Sequence, residues 1–161
     1  MKLPIPLLAE RYGDNLYRAA FAACRDPQDA EDAVQETLLA YHLSDKQFES
    51  EAHIRAWLIR VAVNKARNAA TCFWRRNRRA LEDYADALEF REPGDRALFD
   101  AVMRLGEKYR IAIHLYYYEG YSVREIAEIL RVGENAVKSR LSRARRQLKQ
   151  QLTEGWDDDE S

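Results

Sequence analysis

From Tyr121 to Leu148 the chain spells out two short helices separated by a break, and few folds could accommodate that string in another way. Ser122 and Glu125 stand in capping-box spacing, and Tyr121 and Ile126 in hydrophobic-staple spacing, so the first helix has its start written in the sequence. After the break at Val132-Gly133-Glu134, Gly133 serves as N-cap of a second helix. On a wheel of that helix Val137, Leu141, Ala144, Leu148 and Leu152 form one narrow apolar stripe, while Ser139, Ser142, Arg143 and Arg146 point the other way. Residues 136–153 contain no acid but include Lys138, Arg140, Arg143, Arg145, Arg146 and Lys149. One face packs and the other is free to meet phosphates and bases, as in a helix-turn-helix whose second helix reads nucleic acid. A merely solvated basic face would share the charge but not the capped partner helix and the short break.

The rest of the chain is expected to be helical too. Apolar residues recur at helical spacing almost throughout, and the six glycines and four prolines fall mostly at punctuation points. With 161 residues, of which 47% are hydrophobic, the chain can build one domain or two small ones. Its formal net charge of -1 hides segregation, because acids and bases are sorted into blocks. The acid-rich residues 80–94, ending in Pro93-Gly94, mark the best boundary. The expected fold is all-α: a helical domain over residues 1–79, an acidic linker over 80–94, a helix-turn-helix domain over 95–153 and a frayed acidic tail over 154–161.

Two segments of the first domain stand out. Residues 26–45 carry six acids (Asp26, Asp29, Glu31, Asp32, Glu36 and Asp45) and no Lys or Arg. Ala30, Val34, Thr37, Leu38 and Tyr41 form a buried stripe there, leaving Asp32, Gln35, Glu36 and Leu39 on the opposite face. A leucine among exposed carboxylates suits a protein-binding patch, and the pattern alone suits an ordinary solvated acidic face equally. In the next segment Ile54, Trp57, Leu58, Val61 and Ala62 form a core face. Asn64 and Asn68 lie one turn apart, with Arg67 between them, ahead of Phe73, Trp74, Arg75, Arg76, Arg78 and Arg79. Amide hydrogen bonding, stacking and phosphate neutralisation together fit single-stranded nucleic acid. Read alone, the same string also fits an amphipathic helix with a snorkelling basic end.

In this order, Asp29-Ala30-Glu31-Asp32 through Val34-Gln35-Glu36-Thr37, then Ala56-Trp57-Leu58-Ile59-Arg60-Val61-Ala62 with Asn64, then Glu125-Ile126-Ala127 with Val137-Lys138-Ser139-Arg140-Leu141 and Arg143-Ala144-Arg145 resemble an RNA polymerase sigma factor of the small extracytoplasmic-function (ECF) type. The resemblance covers roughly residues 10–152. It implies that Asp32, Gln35, Glu36 and Leu39 dock on core RNA polymerase. It further implies that a loop from Phe48 to Ile54, with Asn64, Arg67 and Asn68, captures the minus-ten element of promoter DNA, and that Lys138, Ser139, Ser142, Arg143 and Arg146 read the minus-thirty-five duplex. An anti-sigma factor is a further implied partner. Glu49 and Glu51 depart from the pattern, where a basic or small residue is expected, and Gly106 stands where the family often has proline.

Other classes fit less well. His42, His53 and His114 form no metal-binding pair at helical spacing, no glycine cluster makes a phosphate loop, and no nucleophile-base set is suggested, so neither catalysis nor a metal or cofactor is expected. His114 reads as a packed core histidine. Cys24 and Cys72 are far apart, which favours a reducing compartment over a disulfide framework. The N-terminus carries no long apolar signal segment and no 18-residue apolar run occurs, so a cytoplasmic protein without membrane insertion is expected. A stand-alone helix-turn-helix regulator is the main rival; it would normally dimerise, and no heptad helix is present to do so, leaving a monomer as the expected free state.

Overall fold

Helices α1 (Ile5–Cys24), α2 (Pro27–Leu43) and α3 (Glu51–Phe73) pack all three ways against one another. The computed structural model describes the backbone of residues 1–73 and 95–160, and the side chains of 1–68 and 95–153. Every regular element among these residues is helical. The expected linker and the basic cluster with Trp74 lie outside them. The chain divides into two compact units, Met1–Leu81 and Glu82–Ser161.

Small residues let the first three helices approach closely. Ala19, Ala20, Ala22 and Ala23 of α1, Ala30 and Ala33 of α2, and Ala62 and Ala66 of α3 are all buried, with Leu8, Leu16, Ile54, Leu58 and Ile59 filling the space between. Arg25, at φ 57°, ends α1 in the left-handed conformation. Asp26 then caps α2, accepting the Asp29 N–H at 2.8 Å, and Pro27 occupies the first turn, where its missing N–H costs nothing. Two of the expected stripes are shifted. On α2 Ala33 is buried, while Val34 and Leu38 are only half-buried; on α3 Ile59, Val63 and Ala66 join the core, and Trp57 and Val61 stay at its margin. Each helix faces two neighbours, so its buried arc is wider than one stripe.

The described part of the second unit opens with α4 (Asp95–Arg104) and α5 (Glu107–Ile113), which runs directly into a π-helical turn over His114–Tyr118. Gly106 is the N-cap of α5 at φ -59°, an angle that proline also adopts, so this departure leaves the backbone undisturbed. The π turn closes with the Glu119 N–H donating to the His114 carbonyl at 3.1 Å, and Gly120 reverses the chain at φ 74°. His114 is a buried core residue whose Nε2 lies 3.1 Å from the buried Glu119 carboxylate.

The helix-turn-helix follows as α6 (Val123–Leu130) and α7 (Glu134–Glu160). Ser122 and Glu125 form the reciprocal capping box, both bonds at 3.1 Å, with Tyr121 and Ile126 buried beneath it. The left-handed residue of the turn is Arg131, at φ 56°. A side chain there costs about 1 kcal/mol, and the turn bears it because the Arg131 and Val132 N–H groups both donate to the Ala127 carbonyl. Val137, Leu141 and Ala144 are buried, and Leu148 and Leu152 half-buried. The backbone of α7 stays helical through Glu160, where a frayed tail was expected; adding a residue to an existing helix gains one hydrogen bond per residue ordered.

Candidate nucleic-acid and polymerase interfaces

Lys138, Ser139, Ser142, Arg143 and Arg146 are all exposed along one side of α7. The burial of Val137, Leu141 and Ala144 fixes that side outward, since rotating the helix would expose the apolar stripe. A hydrogen bond from the Arg143 guanidinium to the Tyr109 hydroxyl lowers the tyrosine pKa. A guanidinium carries five donors, so this contact leaves others for a base edge or a phosphate. Arg145 is used differently. Its Nε donates to the Tyr117 hydroxyl at 2.6 Å, and its guanidinium carbon sits 5.6 Å from both the Tyr116 and Tyr117 ring centres. The π turn thus holds one of the cations counted in the sequence off the presented face.

Asp32, Gln35, Glu36 and Leu39 are exposed together on α2, and Leu39 retains 57% of its accessible surface. Leu43, one turn further on and 71% exposed, extends this apolar patch. The same wheel that singled out Leu39 contains it, at the next i+4 position. Gln28 donates to Asp32 at 3.0 Å, and Lys65 of α3 lies 3.8 Å from Glu36, a solvent-exposed pair of little energetic weight. Burial, followed by the charges of Asp26 and Asp32, raises the pKa of Asp29 at the edge of this face.

Asn64, Arg67 and Asn68 are exposed on the C-terminal half of α3, three residues and one turn apart as the spacing requires. Phe48 is not with them. Its ring, 3% exposed, packs 5.5 Å from Tyr41, 5.2 Å from His53 and 5.7 Å from Trp57, centre to centre. Phe48 anchors the loop in the core and, in this conformation, presents no face to a base; burying an aromatic ring outweighs leaving it in water. Ile54 likewise belongs to the core, because α3 begins at Glu51 and the loop occupies residues 44–50. That loop exposes Asp45, Lys46, Gln47 and Glu49 instead.

Glu51, the apparent misfit, is already engaged. It accepts from Arg11 Nη1 at 2.7 Å and from the Tyr12 hydroxyl at 2.6 Å, and these bonds hold its carboxyl below the usual carboxylate range. No local pattern in the sequence signals these partners, which come from α1, 40 and 39 residues away. Among the described residues no group of His, Cys, Asp and Glu could hold a metal ion, and no helix is long and apolar enough to cross a membrane.

Residues 8–80 match the family model described as Sigma-70 region 2, and residues 95–148 match Sigma-70, region 4. The ECF RNA polymerase sigma factor SigM of Mycobacterium tuberculosis is 32% identical over 149 residues, covering 88% of this chain and 73% of that protein. The structure of CnrH in complex with the cytosolic domain of CnrY is similar with a TM-score of 0.69 and 30% identity, over 92% of this chain and 87% of that one. The sigma factor RpoE of Bartonella quintana, solved with the anti-sigma factor NepR, shares the fold at a TM-score of 0.71 and 23% identity, over 92% of this chain and 96% of that one. With both sigma-70 regions matched in order, the chain belongs to the sigma-70 family of RNA polymerase sigma factors, in its extracytoplasmic-function (ECF) branch.

Proposed function

We propose that this ECF sigma factor divides promoter work between its two units. The exposed face of α2, with Asp32, Gln35, Glu36, Leu39 and Leu43, docks on core RNA polymerase through an apolar centre ringed by carboxylates. The loop at residues 44–50 captures unstacked minus-ten bases, and Asn64, Arg67 and Asn68 bind the opened strand with amide and guanidinium donors. Lys138, Ser139, Ser142, Arg143 and Arg146 read the minus-thirty-five duplex from the major groove.

The observation that carries this reading is the outward side of α7. Five polar and cationic side chains stand exposed there, on a helix free of acid from residue 136 to 153, behind a capped partner helix. The protein acts without catalysis of its own, as a cytoplasmic monomer that recruits the polymerase, and an anti-sigma factor is the fitting inhibitory partner. Reconstitution tests the reading. Added to core polymerase, the protein should direct transcription from a restricted set of promoters; specific duplex binding without polymerase, and no transcript with it, would instead fit a stand-alone regulator.

A further inference from the structure

The N-terminal residues lie across the end of α2 and along the loop at residues 44–50. Lys2 Nζ donates to the carbonyls of Ser44 at 2.6 Å and His42 at 3.2 Å, at the C-terminus of α2, where carbonyl oxygens lack helical partners and a cation is favoured. Both backbone polar groups of Leu3 are satisfied by one buried hydroxyl: the Leu3 N–H donates to Tyr41 Oη at 2.7 Å, and Tyr41 donates back to the Leu3 carbonyl at 3.2 Å. The Met1 nitrogen donates to the Phe48 carbonyl at 3.1 Å, in the middle of the loop. Tyr41 in turn packs on the Phe48 ring. The entry to the loop and its centre are thus both tied to the first residues of the chain, while its exit is fixed by Ser50 capping α3 and by the Glu49 N–H donating to His53 Nδ1.

We propose that residues 1–4 form a strap that sets the pose of the base-capturing loop, with Lys2 as its positioning residue. This rests on the minus-ten reading of that loop. Of the residues that the loop exposes, Asp45, Lys46, Gln47 and Glu49, Gln47 accepts from the Met1 nitrogen through its Oε1 at 3.5 Å; beyond that contact, what the strap governs is where the backbone beneath them sits. A loop held in one pose loses less conformational freedom when a base enters, so the strap acts on promoter opening and leaves duplex reading by α7 untouched.

The test uses the full chain in two assays. Hydrogen exchange on the free protein should show faster exchange of the 44–49 amides in Lys2→Ala, with Lys2→Arg unchanged from wild type. With core polymerase, Lys2→Ala should slow promoter opening, followed by permanganate reactivity, by roughly three- to tenfold, the effect of losing one charge-assisted hydrogen-bond pair at a solvated site. Lys2→Arg should open normally, and upstream duplex binding should be equal in all three. Slower opening with unaltered exchange would make Lys2 a phosphate contact and overturn the strap. A Lys46→Ala/Glu49→Ala variant, which keeps Gln47 and its contact with Met1, serves as the reference: if it slows opening and Lys2→Ala does not, the strap fails and the loop reading stands. If that variant opens promoters normally, the loop does not capture bases and both fall.

Discussion

Arg143 and Arg145 are two positions apart on α7 and have different surroundings. Arg145 is held by Tyr116 and Tyr117, whereas Arg143 is exposed on the presented face, beside the Tyr109 hydroxyl. Arg143→Ala is expected to cost about 1–3 kcal/mol on the preferred upstream sequence and to flatten discrimination at one or two base pairs. Lys149, a turn and a half further along and bordering an apolar groove with Leu148 and Leu152, is placed for phosphate; Lys149→Ala should weaken all sequences slightly and lower the salt slope. Binding titrations at two salt concentrations separate these outcomes. Which face of α7 is presented was readable from the wheel alone. The tyrosine partners were not, because a helix wheel holds no information about residues 28 positions away.

Cys24 carries the clearest titration signature. Burial pushes its thiol from 9.0 up to about 12, and its Sγ donates to the Asp26 carbonyl at 3.3 Å. A folded value above the unfolded one means that the buried thiol contributes stability fully below about pH 9, which is lost as the pH rises toward 12. In a Cys72→Ser background, Cys24 should therefore resist thiol reagents at pH 8 until the protein unfolds, whereas rapid labelling of the folded protein would contradict its burial.

At the scale of elements, the docking helix is the sharpest case. Asp32→Lys/Glu36→Lys should lower affinity for core polymerase by about tenfold or more while shifting the melting temperature little, since exposed charges contribute roughly 0–1 kcal/mol to folding. A pull-down titration showing unchanged affinity would remove α2 from the interface. Leu43→Ser should weaken docking in the same assay, as an apolar side chain 71% exposed has no folding role to lose. The elements were legible in proportion to their local punctuation. The capping box of α6 is written within the four residues Ser122 to Glu125. The π turn at His114–Tyr118 was not legible, because its extra residue per turn shows only in hydrogen bonds such as that from Glu119 to His114.

For the whole molecule, charge segregation is the organising fact: α2 carries acids without Lys or Arg, and residues 136–153 of α7 carry bases without acids, although the net charge is only -1. The two-part, all-helical plan could be read from periodicity, and the order of three motifs pointed to the family. Side-chain roles in the loop could not, since whether Phe48 faces a base or the core depends on Tyr41 and Trp57 closing over it. The division of labour is tested most directly by run-off transcription from a promoter library randomised at both elements, comparing holoenzyme carrying the wild-type chain, Arg143→Ala, or Asn64→Ala/Asn68→Ala. The expected result is that Arg143→Ala relaxes the upstream consensus alone, while the double asparagine variant reduces open-complex yield and alters the downstream consensus alone. Loss of selectivity at the same element in both variants, or at neither, would contradict the account.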